Sequence, residues 1–226
     1  MSKRPPAAGP PSPRAYDSPL RRKAAEESRQ RVLARARDLF LTGGYGHTTV
    51  AAIARSAGVS PESVYKGFGG KPGLVRAIQE QSLLGAGGSP AEDRSDRAQL
   101  DATNLHELVE QFGRFAAEVS PLAAPIVLLV RDAAATGDAD MAALLRDIDD
   151  ARHGRMLHNA QQTRDRGLLP PGLSVAEAAD VMFACTAAAL YENLVLERGW
   201  TAERYGRFVA RTLSANLVAP DGSTVD

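Results

Sequence analysis

The stretch from Thr48 to Ile78 constrains the fold most. It holds short apolar periodicities separated by glycine signals. Thr48 or Thr49 can cap a short helix carrying Val50, Ile53 and Ala54, and Ala57-Gly58-Val59 breaks it. Ser60 can cap the next helix, with Pro61 in the first position, where a missing N–H costs nothing. That helix carries Val64, Tyr65 and Phe68 and stops at Gly69-Gly70. Pro72 opens another, bearing Leu74, Val75 and Ile78. Two short helices joined by a tight turn need a small residue at their crossing, and Ala54 supplies it. The turn needs a residue that tolerates positive φ, and Gly58 sits there. Ile53, Val59 and Val64 provide the apolar wedge. The pattern is that of a helix-turn-helix, whose second helix enters the major groove of DNA. An ordinary helical hairpin uses similar apolar spacing, so the pattern alone leaves both readings open.

The rest of the chain reads as helices. Val32, Leu33, Ala36, Leu39 and Phe40 form one face of a helix ended by Gly43-Gly44. Residues 1–24 contain six prolines and few apolar residues, the composition of a disordered basic tail. Residues 85–98, with their glycines and alternating charges, read as a linker. Asn104 and Glu107 make a capping box for a helix with Leu105, Leu108, Val109, Phe112 and Phe115. Ser120-Pro121 starts another, with Ile126, Leu129 and Val130, which Pro125 would delay or kink. Asp138 can cap a long helix towards Gly167, and Pro170-Pro171-Gly172 is a loop. Ser174 and Glu177 open a helix to about Gly199. Thr201 caps the last one, with a stripe of Tyr205, Phe208, Val209, Thr212, Leu213 and Leu217. No strand or internal repeat is recognisable. The expected fold is all-α with about nine helices, a three-helix N-terminal domain preceding a larger helical one.

The formal net charge is zero, but it is unevenly spread. Residues 1–80 carry 14 Lys and Arg against 6 Asp and Glu, whereas residues 81–226 carry 13 against 21. One polyanion-binding end on an acidic body would have this distribution, and so would a solvated basic tail at Arg21, Arg22 and Lys23. A single cysteine, Cys185, allows neither an intramolecular disulfide nor a cysteine-based zinc site. No apolar run approaches the roughly 20 residues that span a bilayer. The N-terminus lacks the apolar core of a secretory signal, so a cytoplasmic protein without membrane attachment is expected.

Several spaced elements agree with one family. Leu39-Phe40 and Gly44-Tyr45, then Thr48-Thr49-Val50-Ala51-Ala52-Ile53-Ala54, then Ala57-Gly58-Val59-Ser60-Pro61, then Val64-Tyr65-Lys66-Gly67-Phe68 and Lys71 resemble the TetR-type regulators. The resemblance covers about residues 28–80, and the remainder matches in layout alone. It implies a DNA-binding regulator with a reader at 25–71, a helical sensor and dimerisation domain at 72–219 and a tail at 220–226. It also implies contact roles. Thr49 would hold a phosphate at a helix N-terminus. Ser60, Pro61, Glu62 and Ser63 would form the base-reading first turn. Tyr65, Lys66 and Lys71 would reach the backbone, Lys66 alternatively a guanine edge. Glu62 has two readings: an acceptor for cytosine N4, or a first-turn carboxylate favoured by the helix dipole. Two positions depart from the family pattern. Gly67 replaces a larger polar or aromatic residue, and Gly70 replaces a capping Ser, Asp or Asn.

The resemblance further implies a homodimer, a double-stranded operator with palindromic half-sites and a small-molecule effector, most simply for a repressor released by a largely apolar ligand. Val181, Cys185, Ala188, Phe208, Val209, Thr212 and Leu213 would serve the dimer interface, or else the chain's own core. Phe112, Phe115, Leu129, Met156, Phe183 and Tyr191 would line the effector cavity, or simply fill the core. Enzyme motifs are missing: there is no G-x-S-x-G elbow, Walker loop or H-E-x-x-H. Gly85-Ala86-Gly87-Gly88 follows no strand, so it is no dinucleotide fingerprint. Asp149 and His153 lie i, i+4 on one helix face, better read as an ion pair than as metal ligands, with His158 pointing elsewhere. No metal or other cofactor is expected. The competing reading is a helical small-molecule or metal-binding protein that does not bind DNA.

Overall fold

The computed structural model describes residues 19–85 and 89–217. Most of the expected tail at 1–24, residues 86–88 of the linker and the C-terminal tail at 220–226 lie outside them. The described residues contain ten α-helices and no strand. They are α1 (Pro19–His47), α2 (Val50–Ala57), α3 (Pro61–Phe68), α4 (Lys71–Ser82), α5 (Ala91–Asp101), α6 (Leu105–Ala135), α7 (Ala139–Asp165), α8 (Val175–Cys185), α9 (Ala188–Tyr191) and α10 (Ala202–Leu217).

The expected caps form. Ser60 Oγ accepts from Ser63 N at 3.2 Å, Asn104 Oδ1 from Glu107 N at 2.9 Å, and Asp138 Oδ1 from Met141 N at 3.0 Å. Ser174 and Glu177 complete a reciprocal capping box. The long middle helices pack around α6, which touches α1, α4, α7, α9 and α10. Two apolar clusters result. One joins α1–α4 to Ile126 and Val130 of α6 and to Met141 and Leu144 of α7. The other joins the first half of α6 to the C-terminal half of α7, α8 and α10.

Five differences from the sequence expectation stand out. α1 begins at Pro19, so residues 19–24 are helical, with proline in the first turn. Residues 91–101 form α5 rather than a linker. Its inner face is polar, and it docks through hydrogen bonds instead of apolar packing. Gln99 Nε2 donates to the Asn159 carbonyl at 3.2 Å, Ser95 Oγ to Asn159 Oδ1 at 3.2 Å, and Asp96 pairs with Arg155. α6 runs unbroken through Pro121 and Pro125, where two separate helices were expected. Tertiary burial on both sides outweighs the two lost backbone bonds. The best 18-residue window of α6 reaches a mean hydropathy of 1.5, a length and composition that would also suit a membrane span. The expected helix to Gly199 breaks at Thr186-Ala187 and ends in a π-turn at Glu192–Leu196. Arg131 of α6 grips Glu192 there with two bonds, of 2.6 and 3.0 Å. Asp149 and His153 do not pair with each other. Asp149 binds Arg152 at 3.2 Å, and His153 faces Asp180 of α8 at 3.2 Å.

Candidate nucleic-acid interface

The interface is built on the turn between α2 and α3. Thr48 is buried and donates to the Leu39 and Gly44 carbonyls, at 3.1 and 2.8 Å. This closes the chain reversal at Gly44, whose φ of 77° suits glycine. Thr49 therefore emerges exposed, its hydroxyl capping α2 on Ala52 N at 3.1 Å. Gly58 adopts the left-handed conformation in the turn, and Val59 N bonds the Ala54 carbonyl at 3.0 Å. Ile53, Ala54 and Val64 are each no more than 1% exposed. The wedge read from the sequence is thus the one that packs.

Burying Val64, with Phe68 one turn on, fixes the rotation of α3. Glu62, Ser63, Tyr65, Lys66 and Gly67 then face solvent, with Ser60 just before them exposed and Pro61 half-buried. This face is polar, carries one cation and one carboxylate, and is one helix wide, dimensions that suit the major groove. Glu62 is held below the usual carboxylate range by its own backbone N–H and the Ser60 hydroxyl. The Ser63 hydroxyl lies 3.1 Å from that of Ser60, so these two hydroxyls present a connected pair.

Gly70 begins α4 with a φ of 114°, and a Cβ there would stand 3.4 Å from the Tyr65 ring. Absence of a capping side chain is therefore matched by a seat for Tyr65. Lys71 follows half-buried, its ammonium 4.2 Å from the centre of the Tyr45 ring. Gly73 allows the start of α4 to abut α3, since a Cβ would overlap the Phe68 carbonyl. Of the expected contact residues, Thr49, Ser60, Glu62, Ser63, Tyr65 and Lys66 are exposed, and Pro61 and Lys71 are half-buried.

The remaining expected sites are more dispersed. Phe112, Met156, Phe183 and Tyr191 belong to the cluster around α8 and α10, whereas Leu129 packs in the other cluster. Phe115 sits beneath the Arg94 guanidinium at 5.1 Å. Cys185, Val209 and Leu213 are buried within the chain's own core, while Val181, Ala188, Phe208 and Thr212 remain partly exposed. Two features lacked a sequence signal. Arg152 is wedged at the α8–α9 break, donating to the Phe183 carbonyl at 2.6 Å and to Thr186 Oγ1 at 3.1 Å, with the Phe183 ring 3.6 Å away. An aromatic and basic groove of about 470 Å³ runs along the outer face of α10, between Trp200, Arg204, Phe208 and Arg211.

Fold and site together define a helix-turn-helix unit joined to a helical body. Residues 32–78 match the family of bacterial regulatory proteins named for tetR. The HTH-type transcriptional regulator SrpR of Pseudomonas putida is 41% identical over 54 residues, 24% of this chain and 25% of that protein. The match thus spans a quarter of that relative's length. Solved structures extend the likeness to the body as a fold. NalD, the secondary repressor of the MexAB-OprM multidrug efflux pump in Pseudomonas aeruginosa, superposes with a TM-score of 0.66 at 19% identity, over 88% of this chain and 100% of NalD. SmeT, in a triclosan complex, gives 0.69 at 21% identity, over 87% of this chain and 93% of SmeT. The family match covers the N-terminal helix-turn-helix, and the solved structures share the fold of the helical body. SrpR is described as a transcriptional regulator and NalD as a repressor.

Proposed function

We propose that this chain is a transcriptional regulator that binds duplex operator DNA as a homodimer. The observation that carries this reading is the rotation of α3: Val64 and Phe68 face inward, and Ser60, Glu62, Ser63, Tyr65 and Lys66 form an exposed polar edge. The reader comprises residues 25–71 and the sensor and dimerisation body residues 72–219. In the cytoplasm it acts as a repressor on paired half-sites, since two recognition helices on a two-fold axis demand related half-sites. Phe208, Thr212, Val181 and Ala188 contribute the partly exposed side of the dimer surface. The effector is a small, largely apolar molecule seated among Phe112, Met156, Phe183 and Tyr191, with Leu129 and Phe115 at the margins and the Arg152 guanidinium as a polar anchor. NalD's description as a repressor and SmeT's triclosan complex support these two roles.

Genomic pull-down of the full-length protein, with sequencing of the bound fragments, tests the reading. A shared inverted-repeat sequence is expected. Failure to shift generic duplex DNA even at low salt would overturn it, because backbone binding is the sequence-independent part of any such interaction.

A further inference from the structure

The last turn of α3 carries a glycine, Gly67, on its exposed side. Gly67 is exposed, and a Cβ built there would meet no atom within 4 Å. The helix therefore offers bare backbone where its last turn would approach DNA. A cation from another element fills in beside it. Arg29 of α1 lays its guanidinium over the Phe68 ring, 4.6 Å from the centre. Arg29, Lys66 and Gly67 together line a cleft of about 260 Å³, with Gly73, Arg76 and Glu80 lining its α4 side.

The charges in this cleft are unequally engaged. Arg76 is committed to Asp147 of α7 at 2.9 Å. Glu26, the carboxylate nearest to Arg29 along the same helix face, accepts from Gln30 at 2.6 Å instead. Among the described residues no carboxylate lies within ion-pair distance of Arg29. Its ring contact fixes the direction of an exposed guanidinium without neutralising it. A guanidinium stacked on an aromatic face keeps its N–H edge free for an anion and loses less side-chain entropy on binding one. The missing Gly67 side chain leaves room for a tetrahedral anion between Arg29 and Lys66.

We infer that Arg29 is a DNA-backbone contact: seated on Phe68 beside Gly67, it grips a phosphate of the bound duplex at the C-terminal end of α3. This rests on the DNA-binding reading above and adds to it a contact from α1, outside the helix-turn-helix proper. Arg29 lies N-terminal to the family match at 32–78. It would account for how a recognition helix ending in Lys66-Gly67 holds its end against the groove.

The test uses the full-length protein, a random-sequence duplex and fluorescence anisotropy between 50 and 200 mM salt. Arg29→Gln should weaken all duplexes alike and lower the slope of log affinity against log salt by about 1. The wild-type advantage over the variant then shrinks about three- to fourfold across that range. Arg35→Gln is the control for net charge, as Arg35 lies on the same helix, faces Asp38 at 3.8 Å and does not line the cleft. It should keep the wild-type slope. Arg29→Gln combined with Gly67→Arg should restore the slope by returning a cation to the same place. An unchanged slope in Arg29→Gln, or an equal loss in Arg35→Gln, overturns the assignment. Absence of binding by the wild type would instead overturn the DNA-binding reading, which separates the two failures.

Discussion

Replacing one glycine by alanine should have opposite effects at two helical positions. α10 crosses α6 at Gly206 and Gly113, where backbone meets backbone. A Cβ on Gly206 would lie 2.4 Å from the Gly113 carbonyl oxygen and 2.8 Å from the Ala117 Cβ, whereas ordinary contact begins near 3.4 Å. In Gly206→Ala the helices must therefore separate by about 1 Å at the crossing. Tyr205, Val209, Leu213 and Leu217 flank it and are fully buried. A gap of that size forfeits roughly a quarter to a half of each contact's dispersion energy. Overpacking usually costs about 1–3 kcal/mol, and a clash with backbone belongs at the upper end. Against it stands the better helix propensity of alanine, about 1 kcal/mol. The net expectation is a loss of about 2 kcal/mol. Gly154 of α7 is exposed, and a methyl added there would meet nothing within 4 Å, so Gly154→Ala should collect the propensity gain of about 1 kcal/mol alone. With a urea m-value near ~2 kcal/mol/M, the midpoints move by about 1 M down and about 0.5 M up. Equilibrium urea unfolding at one fixed protein concentration measures both, since association would shift the midpoint. A Gly206→Ala midpoint at or above wild type would refute the close-crossing argument.

Lys71→Ala should weaken binding to all duplexes alike, while Ser63→Ala and Glu62→Ala change base preference by about 1–3 kcal/mol at one position. Selection on randomised sites would expose an error as an unchanged sequence logo for the latter pair. Phe208→Glu places a charge on the outer groove of α10 without touching the buried Val209 and Leu213. It should turn a dimer into a folded monomer in sedimentation at micromolar concentration, and a wild type already monomeric would refute the interface. Asp96 is held below its usual range, first by its hydrogen bond from Arg155 and further by that cation and His158. A depressed folded-state pKa means its contribution is complete above the unfolded value near ~4 and is lost as pH falls through the folded value. Asp96→Asn should therefore lower the urea midpoint at pH 7, and the gap should close below about pH 4. A gap that stays constant would show that the ion pair does not hold α5.

The reader was legible because its constraints are local. Ala54, Gly58 and Val64 each answer a requirement of two helices meeting in a tight turn, and caps at Thr49 and Ser60 follow from residues within one turn. The body was legible where caps and apolar stripes coincide, as at Ser174 and along α10. It was misread where long-range packing decides. α5 buries Gln99 against Asn159 and Thr163, so its inner face has no apolar period to find. α6 continues through two prolines because neighbours on several sides bury it, a fact no window along the chain contains. Arg29 had no signal of its own. Its significance depends on Phe68 lying beside it, and the two are brought together by the fold.

The boundary drawn at residue 72 divides the sequence but not the core. Val32, Ile53 and Val64 of the reader share one apolar cluster with Ile126, Val130, Met141 and Leu144 of the body. α4 crosses that boundary and is tied at both ends. At its start, Lys71 lies over Tyr45, whose hydroxyl is pushed up to about 12 by burial and then by Asp138 and Asp140 around the α6–α7 turn. At its end, Ser82 receives a hydrogen bond from Arg37 of α1 at 3.1 Å, and the same guanidinium reaches the Leu122 carbonyl of α6 at 2.9 Å. Midway, Arg76 holds Asp147 of α7. A shift of α6 therefore cannot leave α4 untouched: it must break the Arg37 bridge or drag Ser82 with it. Hydrogen bonds to charged groups contribute about 1.5–3 kcal/mol each. Coupling between two sites in allosteric proteins is typically about 1–3 kcal/mol. One such tie, made in one arrangement and lost in the other, is thus large enough to carry a signal from the body to Lys71 and the neighbouring recognition helix.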